Sequence, residues 1–187
     1  MSKFLIEDRP TLTCMIQART PERVSELIKK GLDGGTDAFA IQIDQLEREY
    51  RTESCYRVLF EKMGGKPVYV TDYRNNMSTG MTDGELADEL LTLAKSGAAL
   101  VDVMSDLYCP SKDEITRDSA ADAKQRELIN KIHSYGAEVL MSSHTYRFLN
   151  FDEVREIAKI QSDRGADIVK IVAAASSERE MYEIFET

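Results

Sequence analysis

The chain has 187 residues, enough to bury one hydrophobic core, and no long Pro/Gly/Ser-rich or single-charge segment divides it. It has 33 acidic and 24 basic residues and a formal net charge of −9, which argues against binding to nucleic acid or an anionic membrane. The opening "MSKFLIEDRPTLTCMIQA" lacks the apolar core of a signal peptide, and no segment has the length of a membrane span. We therefore expect one domain over 1–187 and a cytoplasmic location.

A unit of helix, glycine and apolar strand recurs along the chain, as in "KKGLDGGTDAFAIQID" and "SDRGADIVKIVAA". Glycine after the last helical turn is typical of a helix end, and the β-branched run that follows favours a strand. The strands are predicted near 11–17, 38–44, 67–73, 99–104, 138–144 and 167–173, and the helices near 20–33, 45–63, 82–96, 118–135, 150–164 and 177–186. Such alternation predicts a parallel sheet, either doubly wound or closed as a barrel.

Two features favour the barrel. The first strand is followed by "IQARTPERV", which is not the glycine-rich phosphate loop of a doubly wound nucleotide-binding sheet. The strands also alternate between an apolar and a polar face, as the wall of a small barrel does. We therefore predict an α/β fold of the (β/α)8 TIM-barrel type with about six βα units in this chain.

The polar strand face collects the residues that could carry chemistry. In "AFAIQID", Phe39 and Ile41 share one face, whereas Gln42 and Asp44 share the other. Most members of this face lie at or near strand C-terminal ends, where barrel enzymes keep their chemistry. The members are Gln42, Asp44, Asp102, Ser142, His144 and Lys170.

Lys170 lies inside the apolar run "GADIVKIVAA", which is typical of a buried strand. A buried ammonium is costly unless it is paired or loses its proton. One interpretation is a nucleophile that forms a Schiff base with a carbonyl carbon. The other is a lysine whose head pairs with an interior carboxylate such as Asp102.

His144 ends the strand before the lysine strand, which makes the two residues neighbours across a parallel ladder. Iminium chemistry needs a group that carries a proton near neutrality, and an imidazole supplies it. The alternative is a hydrogen-bonded strand-end histidine without chemistry. Together, Lys170 and His144 favour an enzyme.

His133 lies near the end of a predicted helix, where the helix dipole favours an imidazolium, and we assign it no function.

The sequence resembles the type I 3-dehydroquinate dehydratases, (β/α)8-barrel lyases of the shikimate pathway. "MSSHTY" resembles the family's Ser-x-His strand end, and "GADIVKIV" its Schiff-base strand. "DAFAIQIDQL" and "KPVYVTDYR" occupy the places of the family's acidic-x-Arg-x-Asp and Thr-x-Arg strands, so the resemblance runs over essentially the whole chain.

The resemblance implies dehydration of 3-dehydroquinate to 3-dehydroshikimate. Lys170 would form the imine, and His144 would act as general acid and base. No metal or organic cofactor is implied, the partner is a small-molecule substrate, and a homodimer is a candidate assembly. The substrate-binding residues implied are Gln42, Asp44, Arg74 and Ser142.

The chain departs from the family pattern in three respects. Ala40 and Gln42 stand where the family has an acid and an arginine. Arg74 comes one position late, and Ser78 takes the place of the acid that orients the histidine. The chain also stops after the sixth helix, so we expect a barrel incomplete at its C-terminus. The alternative functions are a Schiff-base lyase or aldolase acting on another oxo-acid or polyhydroxy ketone, and a non-catalytic barrel remnant.

Overall fold

The computed structural model describes residues 2–186, and strands alternate with helices throughout. The six strands form one sheet whose strand order follows the chain, with parallel pairing. This is the (β/α)-barrel type with six units, as predicted. The strands are β1 Thr13–Ile16, β2 Ala38–Gln42, β3 Val68–Thr71, β4 Leu100–Met104, β5 Glu138–His144 and β6 Ile168–Val172. The helices are α1 Pro21–Asp33, α2 Glu53–Glu61, α3 Asp83–Lys95, α4 Ser119–Ser134, α5 Phe151–Asp163 and α6 Glu178–Glu186.

The chain divides into two compact units. Unit 1 is Met1–Asp102 with Lys131–Glu138, and unit 2 is Val103–Asn130 with Val139–Thr187. Of the predicted site residues, Gln42, Asp44 and Arg74 lie in unit 1, whereas Ser142, His144 and Lys170 lie in unit 2. The assignment of 1–187 to a single domain stays a prediction.

Close packing of α1 on β2 shapes the core of unit 1. Thr20 caps α1 by accepting a hydrogen bond from the Arg23 amide, and Pro21 occupies the first turn. Phe39 is fully buried, and a Cβ added at Gly31 would lie 2.6 Å from its Cε1 atom. The helix therefore approaches the strand at a point where only glycine fits.

The core of unit 2 forms around α5. Ile115, Leu149 and Ile157 are buried together, and Ile171 of β6 packs against them. Ile115 belongs to the connection between β4 and α4, so this connection takes part in the core instead of lying loose on the surface.

The predicted helix 45–63 is wrong in its first half. The structure has short 3-10 turns at Ile43–Gln45 and Arg48–Tyr50, and α2 begins only after Thr52. Thr52 caps α2 by accepting from the Cys55 amide at 3.2 Å. Arg51 Nε donates to the Leu46 carbonyl at 2.9 Å, so a side chain satisfies a backbone group that a helix would have used.

A buried polar cluster in unit 1 joins the segments that follow β2 and β3. Asn76 Nδ2 donates to Asp44 at 2.5 Å, and Ser78 Oγ donates to Asp72 at 2.5 Å. Arg51 donates to Ser78 at 2.9 Å and lies 3.7 Å from Asp72. These contacts brace the two connections at the C-terminal end of the strands.

Burial dominates the electrostatics of this cluster. It raises the pKa of Asp72 to about 7, although the hydrogen bond from Ser78 and the charge of Arg51 act in the opposite direction. Burial also raises the pKa of Asp44, against the hydrogen bond from Asn76. Asp72 is therefore protonated over part of the range in which an exposed aspartate is charged.

The close approach at Gly31 predicts opposite effects for two glycine-to-alanine changes. In a helix, alanine normally gains up to about 1 kcal/mol over glycine. We expect Gly31→Ala to lower the free energy of unfolding by about 1–2 kcal/mol, because its methyl group meets the buried Phe39 ring. Gly84→Ala is the control, because the nearest atom to its added Cβ lies 3.9 Å away. Urea unfolding in which Gly31→Ala is as stable as Gly84→Ala would contradict this packing.

The raised pKa of Asp72 predicts a pH-dependent stability. The folded state binds more protons than the unfolded state between about pH 4 and pH 7, so stability falls as pH rises through this window. Relative to Asp72→Asn, we expect the parent to lose about 1–2 kcal/mol of unfolding free energy from pH 5 to pH 7. Asp88→Asn, which removes an exposed carboxylate from α3, serves as the control. Equal pH slopes for the parent and Asp72→Asn would show that Asp72 titrates normally.

Candidate active site

Three of the predicted site residues lie together on β5 and β6. In the parallel register of these strands Ser142 is opposite Lys170, and His144 is opposite Val172. Alternation of side chains places Ser142, His144 and Lys170 on the same face, as the sequence pattern predicts. Strand spacing and rise put the Cα atoms of His144 and Lys170 about 8 Å apart. An amine and an imidazole on such neighbouring positions can act on one small molecule.

The strand that carries Lys170 is less buried than its apolar sequence suggests. Val169 and Val172 are 38% and 39% exposed, and Lys170 itself is half-buried. β6 is the last strand in the sheet order, so among the described strands it pairs with β5 alone. The expectation of a buried strand is therefore wrong, and Lys170 lies at a solvent-accessible position.

A buried glutamine supports the back of this strand pair. Gln161 of α5 donates to Ser105 Oγ at 2.8 Å and lies 3.5 Å from both Ser143 Oγ and the Lys170 carbonyl oxygen. Beyond His144 the ladder continues, because the Thr145 amide donates to the Val172 carbonyl at 2.8 Å. These hydrogen bonds thus hold the β6 backbone at Lys170 and at Val172.

A carboxylate absent from the predicted site contacts His144. Glu114 Oε2 lies 2.7 Å from His144 Nδ1 and also accepts from the His144 backbone amide at 3.0 Å. This geometry assigns the proton of the neutral ring to Nδ1 and the lone pair to Nε2. Glu114 lies in "SDLYCPSKDEITRD", whose position after a strand C-terminus was the signal that could have found it.

In unit 1, Gln42 lies at the end of β2 and pairs with another amide. Gln17 Nε2 donates to Gln42 Oε1, so two neutral side chains meet where β1 and β2 end. Neighbouring Ala40 is fully buried and contributes no polar group. This part of unit 1 therefore offers amide groups instead of a guanidinium.

Asp44 and Arg74 both have protein partners within unit 1. Asp44 lies in the turn after β2, is 1% exposed, and accepts from Asn76 as described above. Arg74 forms a two-point ion pair with Asp83, with Nε to Oδ1 at 2.7 Å and Nη2 to Oδ2 at 3.1 Å. The contacts give both residues a bracing role, and their contact with substrate stays a prediction.

Two tyrosines hold Asp102 in unit 1. The hydroxyl groups of Tyr69 and Tyr73 donate to Asp102 Oδ2 at 2.5 and 2.7 Å. Burial first, and then the charge of Asp102, raises the pKa of Tyr69, so this phenol remains a donor. Pairing of Asp102 with Lys170 remains a hypothesis.

Among residues 2–186, no group of three or more His, Cys, Asp or Glu side chains is arranged to hold a metal ion. In the same part of the chain, no helix has the length and apolar character needed to cross a bilayer. His133 lies in the last turn of α4, as predicted.

Comparison with known proteins shows both family and fold. The family model for type I 3-dehydroquinase matches residues 12–187. The 3-dehydroquinate dehydratase from Enterococcus faecalis is 17% identical, with a TM-score of 0.81 over 100% of this chain and 76% of that one. The enzyme from Clostridium difficile, solved with covalently modified comenic acid, is 17% identical, with a TM-score of 0.79 over 96% and 68%.

The 3-dehydroquinate dehydratase from Geobacillus kaustophilus HTA426 is 13% identical, with a TM-score of 0.77 over 96% of this chain and 67% of that one. At these identities the structures establish the fold alone. No curated protein sequence matches the chain. The match to the family model covers nearly the whole chain, and on that ground the protein belongs to the type I 3-dehydroquinase family, hydro-lyases of the shikimate pathway.

Proposed function

We propose that the protein dehydrates 3-dehydroquinate to 3-dehydroshikimate through an imine on Lys170, with His144 as general acid and base. The observation that carries this proposal is the register of β5 and β6, which puts an amine and a carboxylate-bound imidazole on one strand face. The family supplies the reaction, the dehydration of a ring ketone, and an amine with a neighbouring imidazole can catalyse it through an imine.

The proposed reaction begins with attack of the Lys170 amine on the ring ketone. Loss of water gives an iminium, which acts as the electron sink and acidifies the neighbouring carbon. His144 removes a proton from that carbon through Nε2 and forms an enamine. The enamine expels the hydroxyl group, His144 returns the proton to it, and water leaves. Hydrolysis of the remaining iminium releases 3-dehydroshikimate and restores Lys170.

Substrate binding is proposed for Ser142, Gln42, Asp44 and Arg74. Ser142 lies opposite Lys170 in the ladder, so its hydroxyl is suited to contact the ketone or the carbinolamine that precedes the imine. Gln42 can donate from its amide while its oxygen accepts from Gln17. Asp44 accepts from Asn76, and Arg74 pairs with Asp83. Each residue would therefore contact the substrate either in addition to its present partner or in place of it.

A second candidate is a Schiff-base lyase or aldolase that acts on another oxo-acid or polyhydroxy ketone. Ala40 and the Gln17–Gln42 pair favour it, because they offer neutral groups where a polyhydroxylated acid is better held by charged donors. The third candidate, a barrel remnant that binds a ligand without reaction, predicts no turnover of any ketone. A homodimer stays a prediction.

Lys170 and His144 are predicted to have separable roles. We expect Lys170→Met to abolish both turnover of dehydroquinate and trapping by borohydride. His144→Ala should keep the trapped adduct while turnover falls by about 10²- to 10⁴-fold, because only proton transfer is lost. His133→Ala and Lys159→Met, at positions on α4 and α5, are the matched controls. Full turnover in folded Lys170→Met would rule out the imine mechanism.

Gln42→Arg distinguishes dehydroquinate from another ketone. Under the proposal, kcat/KM for dehydroquinate stays equal or rises, because a guanidinium adds charged donors for the ring hydroxyl groups. With a different natural substrate, the change instead adds an unpaired cation and impairs that reaction. A parent kcat/KM of about 10⁴ M⁻¹s⁻¹ or more on dehydroquinate excludes the altered substrate. A folded parent chain without detectable activity on dehydroquinate argues against the proposal.

A further inference from the structure

The contact between Glu114 and His144 has an unusual backbone setting. Glu114 has a φ of +50°, a left-handed conformation that is unfavourable for a residue with a Cβ. Tyr108, in the same connection, has a φ of +73°. Such conformations persist only where the surrounding structure holds them, and they are concentrated at functional sites. The rest of this connection therefore has to hold Glu114 against His144.

The connection between β4 and α4 is closed at its base. The Thr116 amide donates to the Ser105 carbonyl at 3.1 Å, which brings the two ends together. The buried Arg164 donates to the same Ser105 carbonyl at 2.8 Å and also to the Thr116 carbonyl. Segment 106–115 is therefore a compact loop with joined ends, which we call the Glu114 loop.

The interior of the Glu114 loop is also fixed. Asp106 accepts from the Ser111 amide at 2.8 Å, and Ser111 Oγ exchanges hydrogen bonds with the backbone of Ile115 at 2.9 and 3.1 Å. Ile115 is buried in the hydrophobic cluster of unit 2. Glu114 thus lies between an internally bonded turn and a buried core residue, and both hold its backbone in place.

The two adjacent acids of the loop have different partners. The carboxylate of Asp113 lies 3.2 Å from Arg147 Nη2, and Arg147 also pairs with Glu153 at 2.7 Å. Glu114 instead uses one oxygen, Oε2, for both the ring and the backbone of His144. Asp113 therefore contributes to the charge network of Arg147, whereas Glu114 contacts His144 at the end of β5.

We propose that Glu114 is a positioning residue for His144, and that the closed Glu114 loop exists to hold it there. By accepting a hydrogen bond from Nδ1–H, Glu114 fixes the tautomer and the direction of the ring, so that Nε2 faces the carbon from which the proton leaves. The carboxylate also stabilises the imidazolium that forms during the reaction. This inference rests on the proposed function of His144, but its structural part can be measured without activity.

The structural test is the ¹⁵N–¹H NMR signal of the imidazoles, which is simple to assign because the chain has two histidines. In the parent we expect His144 to carry its proton on Nδ1. Glu114→Ala should shift His144 toward the Nε2-protonated tautomer and leave the His133 signals unchanged. Asp113→Asn is the matched control and should change neither. An unchanged His144 tautomer in folded Glu114→Ala would overturn the inference.

The kinetic test compares Glu114→Ala with Glu114→Gln on dehydroquinate. Glutamine keeps an oxygen acceptor for Nδ1–H but removes the charge. We expect a fall in kcat of roughly 10²-fold for alanine and a smaller one for glutamine, with KM nearly constant and borohydride trapping retained. If Glu114→Ala keeps the kcat of the parent while His144→Ala is inactive, the positioning role of Glu114 is overturned but the proposed function is not. Turnover that survives in His144→Ala would instead overturn the proposed function.

Discussion

One buried guanidinium, that of Arg164, holds the parts of unit 2 on which the candidate site depends. Its side chain is 3% exposed and donates to the Asp122 carboxylate at 2.8 Å, besides the carbonyl groups of Ser105 and Thr116. A buried charge is tolerated only when it is paired and hydrogen-bonded, so these three acceptors have to stay in place together. The residues after β4 and those before α4 are thereby joined to the end of α5.

The candidate chemistry follows from that constraint. With the loop base closed, Glu114 reaches His144, and the β5–β6 register then sets His144 beside Lys170. The groups expected to react come from regular strands, whose geometry is stiff, whereas the carboxylate proposed to orient His144 comes from a loop made rigid by side chains. Unit 1 has neutral amides where β1 and β2 end, and it buries the carboxyl groups of Asp44 and Asp72.

The strand part of the site could be predicted from sequence because a period of two determines which face a side chain occupies. Ser142, His144 and Lys170 follow that rule, and the register of β5 and β6 agrees with it. Glu114 could not be predicted in the same way, since Asp113 and Glu114 are adjacent acids in one loop and only the path of the backbone decides which of them meets His144.

Two further expectations failed for tertiary reasons. The helix expected from residue 45 is interrupted because Arg51 turns into the buried cluster with Ser78 and Asp72, and Thr52 then starts α2. Burial of β6 would require a neighbouring strand on its second side, and the apolar sequence of β6 itself does not indicate whether such a strand is present. In both cases the local pattern was consistent with the predicted element, and long-range contacts determined the outcome.

Peptide mapping by mass spectrometry, after incubation with dehydroquinate and borohydride, is the most direct test of the site. If the site works as inferred, one reduced substrate-derived adduct forms per chain, on the peptide that contains Lys170, and added excess product competes with its formation. An unmodified Lys170, or adducts spread over exposed lysines such as Lys62 and Lys159 at the same level, would contradict imine catalysis at this position.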